Sequence, residues 1–258
     1  MNAPSHVLVT GAAGAIGGAV ARAMRTAWPG VKLALLDREL EAMQALAREL
    51  GNATTHAVDL RDVDGLPAVI ELIERDGGPL DGLVNCAGVM IVQQVHSWDW
   101  ETARDLMTID LIAPLRLQDL VVRGMVARRA GVIVNVASMA GKVPLRGCTY
   151  YGASKAGLAT ASEVARAELA EYGIRVVTVY PGPVKSRLEQ GARDAWGGGG
   201  FLGRFAPLGD PAELARRIMV AIERDEPRVI YPRLYGFGWS ATPVAQWIAL
   251  SYGPSAVS

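Results

Sequence analysis

The sequence has few cysteines, no excess of either charge and no long uncharged apolar run. Two of its 258 residues are cysteines, Cys86 and Cys148, and they form no CxxC pair, which excludes a disulfide framework. Lysine and arginine together number 26, and so do aspartate and glutamate. Because these charges balance, the chain offers no broad electrostatic attraction to nucleic acid or to an anionic membrane. We therefore expect its partner to be a small molecule recognised in a pocket.

Targeting and metal signals are also missing. The first residues, MNAPSHVLVTG, have no basic segment followed by a long apolar one, so we expect no signal peptide. No run of about 18 uncharged apolar residues predicts a membrane span. The three histidines, His6, His56 and His96, have no metal-ligand spacing, and we expect no metal. The scarcity of cysteine suits a reducing compartment, and we expect a cytoplasmic protein.

Short runs rich in Val, Ile and Leu alternate with helical patterns along the chain. Because these runs are continuous rather than alternating, both faces of each strand should be buried, as in a parallel sheet covered by helices. The order predicts an α/β fold with a doubly wound parallel (Rossmann-type) sheet, one domain over residues 1–258. The predicted strands are His6–Thr10, Val31–Asp37, Thr54–Val58, Leu80–Cys86, Val132–Ala137, Ile174–Tyr180 and Val229–Tyr231. The predicted helices are Ala15–Ala27, Glu39–Leu50, one after Asp62, Trp98–Arg129 with a break near Pro114, and Tyr151–Tyr172.

A glycine-rich turn, TGAAGAIG, lies between the first strand and the first helix. Gly11 permits a tight turn, Gly14 leaves room for a pyrophosphate, and Gly17 lets the helix pack closely on the strand. The helix N-terminus then offers unpaired N–H groups to phosphates. Asp37 ends the second strand, where a carboxylate accepts both ribose hydroxyls and repels a 2′-phosphate. The sequence thus indicates a dinucleotide site that prefers NAD to NADP, with Arg38 as the residue that would favour a 2′-phosphate.

Three further motifs follow in order: Asp59-Leu60 after the third strand, Asn85-x-Ala87-Gly88, and Tyr151-x-x-x-Lys155. With the glycine turn they resemble the short-chain dehydrogenase/reductase family over roughly residues 6–231. The resemblance implies an oxidoreductase that acts on CH–OH groups, usually as a homodimer or homotetramer. It also implies a cofactor site whose residues are Gly11, Ala13, Gly14, Ala15, Ile16, Gly17, Asp37, Arg38, Asp59, Leu60, Asn85, Ala87, Gly88, Tyr151, Lys155, Pro181, Gly182 and Val184.

Single roles within that site are implied in the same way. Asp59 would meet the adenine amino group, and Asn85, Ala87 and Gly88 would form the wall beside the adenine ribose. The PGPV stretch from Pro181 would cradle the nicotinamide. Ser186 occupies a place where the family often has a threonine in contact with the carboxamide or a phosphate.

Tyr151 and Lys155 are four residues apart on a predicted helix, so they share one face. Hydride transfer to a ketone needs a proton donor at oxygen, and alcohol oxidation needs a base there. An ammonium beside a phenol favours the phenolate, so we expect Lys155 to lower the pKa of Tyr151. Ser138 ends the fifth strand and can polarise the substrate oxygen. These three residues are the predicted catalytic groups; Tyr150, the rival for Tyr151, has Ser154 four residues on.

One position departs from the family pattern. The family has an asparagine in the long helix before the fifth strand, where this chain has Asp110 in the phrase IDLIA. A carboxylate only accepts hydrogen bonds unless it is protonated. We therefore expect Asp110 to disturb the family's proton relay to Lys155 and to damp the effect of that lysine on Tyr151.

Several apolar segments favour a hydrophobic alcohol or ketone, such as a steroid, retinoid or fatty-chain carbonyl. A substrate lid is expected at about 187–207, with Trp196, Phe201, Leu202 and Phe205 around four glycines. Met90–Val92, and also Met139, Val143 and Leu145, would line the pocket. The apolar tail at about 234–252 is interpreted as a pocket cover, a subunit interface or a membrane-surface contact, in that order of preference.

Two other functions stay open from the sequence alone. A non-catalytic NAD(P)-sensing regulator on the same fold is favoured by Asp110 and opposed by Ser138, Tyr151 and Lys155. A sugar-nucleotide epimerase or dehydratase is opposed by chain length, because such enzymes carry a large added substrate domain.

Overall fold

The computed structural model describes residues 3–196, 207–240 and 242–252. Its centre is one sheet of seven parallel strands in the order β3-β2-β1-β4-β5-β6-β7. The strands are β1 (His6–Thr10), β2 (Lys32–Asp37), β3 (Ala53–Ala57), β4 (Gly82–Asn85), β5 (Gly131–Val136), β6 (Ile174–Pro181) and β7 (Arg228–Tyr231). The predicted doubly wound sheet of about seven strands is therefore confirmed.

Helices cover both faces of the sheet. They are α1 (Ala15–Ala27), α2 (Leu40–Leu50), α3 (Leu66–Gly77), α4 (Trp100–Met107), α5 (Ala113–Arg128), α6 (Thr149–Leu169), α7 (Arg187–Ala195), α8 (Pro211–Arg224), α9 (Gly236–Ser240) and α10 (Thr242–Tyr252). Apolar residues of α1, α2 and α8 pack on one face, and those of α3 and α5 on the other. Along β1, Val7 and Val9 face the first layer and Leu8 the second, which is why these strands are apolar throughout.

The structure differs from the prediction at β3. The expectation of strands buried on both faces fails there, because Thr54 is exposed and no residue of β3 is fully buried. β3 lies at the edge of the sheet, where one side has no neighbouring strand. Its short polar sequence suits that position.

The predicted helix Trp98–Arg129 is divided before Pro114 rather than kinked at it. A π-helical turn, Thr108–Ile112, joins α4 to α5, and Pro114 lies in the first turn of α5, where a missing N–H costs least. Such turns occur frequently at functional sites, because they redirect side chains within a helix. Here the residue turned inward is Asp110, the only buried residue of the five.

β1 and β4 are neighbours, although three helices and two strands separate them in sequence. The chain winds from β1 towards β3 in one direction and from β4 towards β7 in the other. In doubly wound sheets, ligands bind where this direction reverses, at the carboxyl ends of the strands. That edge carries the glycine turn after β1, Ala87 and Gly88 after β4, and Ser138 after β5.

Candidate active site

A cavity of about 1160 Å³ opens at the carboxyl edge of the sheet. It runs from the glycine turn, past the ends of the strands, to α7 and the C-terminal helix. Among the residues proposed from the sequence, those that line it are Gly11, Ala13, Gly14, Ala15, Ile16, Gly17, Asp37, Arg38, Asp59, Leu60, Ala87, Gly88, Ser138, Tyr151, Lys155, Pro181, Gly182, Val184 and Ser186.

Asn85 is not brought into this cavity. It is buried, and its side-chain amide donates to the Pro114 carbonyl at 3.1 Å and to Asn135 Oδ1 at 2.9 Å. The preceding residue, Val84, faces the α1 layer, so alternation along β4 turns Asn85 towards α5. The expected contact of Asn85 with the cofactor is thus replaced by a structural role between β4, β5 and α5. Cys86, the next residue, lines the cavity and also packs against the core.

The glycine turn is tightly built. Gly11 has φ +66°, and a Cβ there would lie 2.7 Å from the backbone of Ala87. Gly17 is more restricted, since a Cβ would lie 2.2 Å from the Gly11 carbonyl oxygen. At Gly14 the nearest atom would be that same oxygen at 3.1 Å. Gly14 also begins α1 without a side-chain cap, so the first N–H groups of the helix have no side-chain acceptor from that position.

Asp37 connects the end of β2 to this turn. One oxygen accepts the Ala13 N–H at 3.1 Å, and the other accepts the N–H groups of Arg38 at 2.7 Å and Glu39 at 3.2 Å. A carboxylate has about four acceptor positions, so it retains capacity for ribose hydroxyls. The side chain is therefore held in place at the cavity wall before any ligand binds.

Several charged residues that line the cavity were not predicted from the sequence. Arg61 lines the cavity and donates to Asp59 at 2.9 Å, which holds the pKa of that carboxyl below its usual value. Arg187 pairs with Glu39 at 2.9 Å and so joins α7 to the start of α2 across the cavity mouth. The sequence could have indicated Arg61 as a cavity residue, because it directly follows Asp59-Leu60. No local pattern relates Arg187 to Glu39, which are 148 positions apart.

The three proposed catalytic side chains come together at the inner end of the cavity. Ser138, Tyr151 and Lys155 are 7%, 7% and 4% exposed. The Ser138 hydroxyl hydrogen-bonds Tyr151, and the Lys155 Nζ lies 5.9 Å from the Tyr151 ring centre. Lys155 also donates to the Val136 carbonyl at 3.3 Å. α6 supplies two of the groups and the end of β5 supplies the third, as the spacing predicts.

Lys155 has a buried acidic partner. The Asp110 carboxylate lies 3.4 Å from the Lys155 Nζ and is fully buried. Its other oxygen accepts the Val89 N–H at 2.8 Å. Burial raises the pKa of Asp110 above its usual value, and the nearby Lys155 offsets only part of this rise. Gly88 packs against the pair, since a Cβ there would lie 3.0 Å from the Lys155 Nζ.

The expected lowering of the Tyr151 pKa is wrong for this arrangement. Burial raises the pKa of the Tyr151 phenol well above its usual value, and the negative charge of Asp110 raises it further. The hydrogen bond from Ser138 lowers it by a smaller amount. The expectation failed because it left out the desolvation of the phenol, which is the largest effect on its pKa; the opposing effect of Asp110 was expected.

The other half of the cavity is largely apolar. Met90, Met139, Val143, Leu145 and Trp196 line it as expected, whereas Ile91 and Val92 pack beside it. Of the predicted lid, the segment 187–195 forms α7; Phe201, Leu202, Phe205 and the four glycines lie outside the described residues. Cys148 is a buried filler whose thiol pKa burial raises to about 12.

One charged pair interrupts the apolar wall. Glu189 and Arg193, four residues apart on α7, both line the cavity and pair at 2.7 Å. Burial raises the pKa of Glu189. The sequence shows the spacing of the two residues but not that they face the substrate end.

The C-terminal segment reaches the same cavity. Leu234 and Tyr235 line it, and so do Ala245 and Ala249 of α10. These contacts are those expected of a pocket cover, the first of the three roles predicted for the tail. In the part of the chain that the structure describes, no helix has the length and hydropathy to cross a membrane.

This chain is similar to known proteins both in sequence and in structure. A family model described as "short chain dehydrogenase" matches residues 5–196. Carbonyl reductase family member 4 of Xenopus tropicalis is 31% identical over 218 residues, covering 83% of this chain and 89% of that protein. A short-chain dehydrogenase from Streptomyces avermitilis has a similar structure, with a TM-score of 0.81, 25% identity and 96% of each chain covered.

A solved structure also bears on the cofactor. A metagenomic short-chain oxidoreductase in complex with NADP is 29% identical, with a TM-score of 0.72 over 88% of this chain and 96% of its own. The family resemblance inferred from the motifs is confirmed by these matches.

Proposed function

Because this chain belongs to the short-chain dehydrogenase family, we propose that it interconverts an alcohol and a ketone with Ser138, Tyr151 and Lys155 as catalytic groups. The observation that carries the proposal is the position of the three side chains. They lie buried together in the same cavity as the glycine turn. A dinucleotide seated on that turn would extend along the cavity towards Tyr151.

The residues of the cofactor half fit a nicotinamide dinucleotide. Gly14 places no side chain before the start of α1, whose N–H groups and positive helix end suit a pyrophosphate. Pro181, Gly182 and Val184 line the wall next to the catalytic groups. When bound there, the nicotinamide accepts or supplies the hydride.

We propose NAD rather than NADP as the preferred cofactor. The support is Asp37, whose carboxylate is held at the cavity wall by three backbone N–H groups and would repel a 2′-phosphate. Arg38 and Arg61 also line this part of the cavity, but Arg61 is engaged by Asp59. The NADP of the metagenomic relative belongs to that protein.

The substrate we propose is a hydrophobic alcohol or ketone. Methionine, valine, leucine and tryptophan side chains surround the catalytic end of the cavity, and burial of apolar surface contributes about 25 cal/mol per Å². The pair Glu189 and Arg193 gives that wall one place for a polar group of the substrate. A steroid, a retinoid and a fatty-chain carbonyl each combine these two features.

The chemistry of the chain's own groups follows from their contacts. Ser138 would hydrogen-bond the substrate oxygen and polarise it. The Tyr151 hydroxyl would give a proton to that oxygen during reduction, and its phenolate would take one during oxidation. Lys155 would hold the nicotinamide ribose and place its ammonium near the phenol. Asp110 limits the electrostatic effect of that ammonium.

The test is a panel of alcohols and ketones, followed by nicotinamide absorbance, with Tyr151→Phe as the decisive variant. We expect turnover to fall at least about 1,000-fold, because the proton donor is lost while the ring still fills its place. The matched control is Tyr150→Phe, the same change one residue earlier, where the ring packs against Trp98. It should keep most of the activity.

Cofactor affinity, measured by calorimetry, should change little in both variants. Full activity of Tyr151→Phe would remove Tyr151 from the proton-transfer role. Cofactor binding without turnover on any substrate would favour the sensing regulator. A homodimer or homotetramer and a cytoplasmic location stay predictions.

A further inference from the structure

The ion pair between Asp110 and Lys155 is unlike the others among the described residues. Their side chains are 0% and 5% exposed, whereas every other ion pair between described residues has at least one partner more than 20% exposed. Burying two charges is unfavourable unless each compensates the other closely. Such a pair at a proposed catalytic lysine therefore calls for a functional reason.

The local backbone fixes the position of the Asp110 carboxylate. Asp110 lies in the π-helical turn, which directs it inward, and Val89 after β4 donates its N–H to one oxygen at 2.8 Å. The other oxygen faces Lys155 at 3.4 Å. Lys155 also donates to the Val136 carbonyl at 3.3 Å. Two elements distant in sequence thus both contact the ammonium.

Ionisable and hydrogen-bonding groups on several neighbouring elements surround Tyr151. The groups are Lys155 on α6, Asp110 on the π-helical turn, Ser138 after β5, Cys86 after β4, Cys148 before α6, and Glu189 with Arg193 on α7. Burial raises the thiol pKa of Cys86 and Cys148 to about 12, so both are uncharged near neutral pH. Glu189 is matched by Arg193, which leaves Asp110 as the charge opposing Lys155.

We propose that Asp110 is a positioning residue that neutralises Lys155 and keeps Tyr151 protonated, which favours carbonyl reduction near neutral pH and confines alcohol oxidation to alkaline pH. This inference rests on the proposed function. In the reductive direction the Tyr151 hydroxyl gives its proton to the carbonyl oxygen as the hydride forms the new bond to carbon. The resulting phenolate takes a proton from solvent. The oxidative direction needs that phenolate first, and Asp110 disfavours it.

The test replaces the carboxylate by an amide of the same shape. In Asp110→Asn the amide oxygen can still accept the Val89 N–H, so the main change is the lost charge. We expect the pH of half-maximal alcohol oxidation to fall by about one pH unit or more. At a fixed pH below that midpoint, oxidation should then rise about tenfold or more relative to reduction. The control is Asp119→Asn on α5, an exposed partner of Arg116, which should shift neither value.

A second readout needs neither cofactor nor substrate. Tyrosines labelled with ¹³C at Cζ report ionisation by NMR, and the Tyr151 signal is the one that Tyr151→Phe removes. In the wild-type protein this signal should show a neutral phenol at pH 9, whereas in Asp110→Asn its transition should lie about one pH unit or more lower.

Two results would overturn the proposal. One is ionisation of wild-type Tyr151 below pH 8, which is decisive even when Asp110→Asn does not fold. The other is a folded Asp110→Asn whose NMR transition and oxidation profile coincide with those of the wild type. The proposed function fails differently, through full activity of Tyr151→Phe or absence of turnover on every substrate.

Discussion

Replacing Gly17 by alanine tests how tightly the glycine turn is built. A Cβ at this position would lie 2.2 Å from the Gly11 oxygen and 2.8 Å from the Gly11 carbonyl carbon. Both are backbone atoms and cannot rotate away. Because real Cβ atoms do not approach other heavy atoms within 3.0 Å, α1 and the turn must separate by roughly 1 Å.

Two opposing effects set the size of the loss. Alanine favours a helix over glycine by about 1 kcal/mol. Overpacking a rigid site costs about 1–3 kcal/mol and occasionally more, and an overlap with backbone belongs at the upper end. We expect a net loss of about 2 kcal/mol, which for a chain of this size lowers Tm by about 4–8 °C. Dinucleotide affinity should fall at least about tenfold, because the displaced turn no longer aligns its N–H groups.

The matched control is Gly14→Ala in the same turn. Its Cβ would meet only the Gly11 oxygen at 3.1 Å, a contact that a displacement of a few tenths of an ångström relieves. Urea denaturation and thermal scans of both variants measure stability, and calorimetric titration of NAD compares Gly17→Ala with the wild type. A Gly17→Ala protein as stable as Gly14→Ala would refute the argument that backbone contact requires glycine at position 17.

Two further predictions concern the cofactor and stability against pH. Asp37→Ala should weaken NAD binding about tenfold and reduce its advantage over NADP, as measured by calorimetry, because a charge-assisted hydrogen bond is lost; tighter NADP binding by the wild type would contradict this. His6 is buried, and burial lowers its pKa from 6.5, so the free energy of unfolding should decline as pH falls below 6.5, where the unfolded chain gains the proton first. His6→Gln should reduce that decline in urea titrations and His96→Gln, at an exposed position, should not; equal curves for both would exclude His6 as its source.

The fold could be predicted from the sequence because its signals are local. Continuous apolar runs show strands buried on both faces, and the glycine turn marks the passage from β1 to α1. The prediction of burial on both faces failed at β3. That strand lies at the edge of the sheet, and its place there depends on which strands are its neighbours, which the local sequence does not show. A break of the long helix near Pro114 and a carboxylate of Asp110 near Lys155 were expected, but the π-helical turn that carries Asp110 was not.

The candidate site was predicted in part for the same reason. The spacing of four residues is enough to predict that Tyr151 and Lys155 share a helix face. The place of Asp37 after an apolar run is enough to predict that it ends a strand. Asn85 was misplaced, because its direction depends on the alternation of β4 against α5. Arg187 and Glu39 could not be paired from the sequence, because 148 positions separate them.

The sequence by itself determined the order of helices and strands, the glycine turn and the helical spacing of Tyr151 and Lys155. All of these depend on residues within a few positions of one another. Only the tertiary structure decided the electrostatics of the site: Asp110 opposite Lys155 at 3.4 Å, a buried Tyr151 with a raised pKa, and an α7 ion pair in the cavity wall. The reason is physical, since the effect of a charge depends on distance and burial, which are set by contacts between segments far apart in the chain.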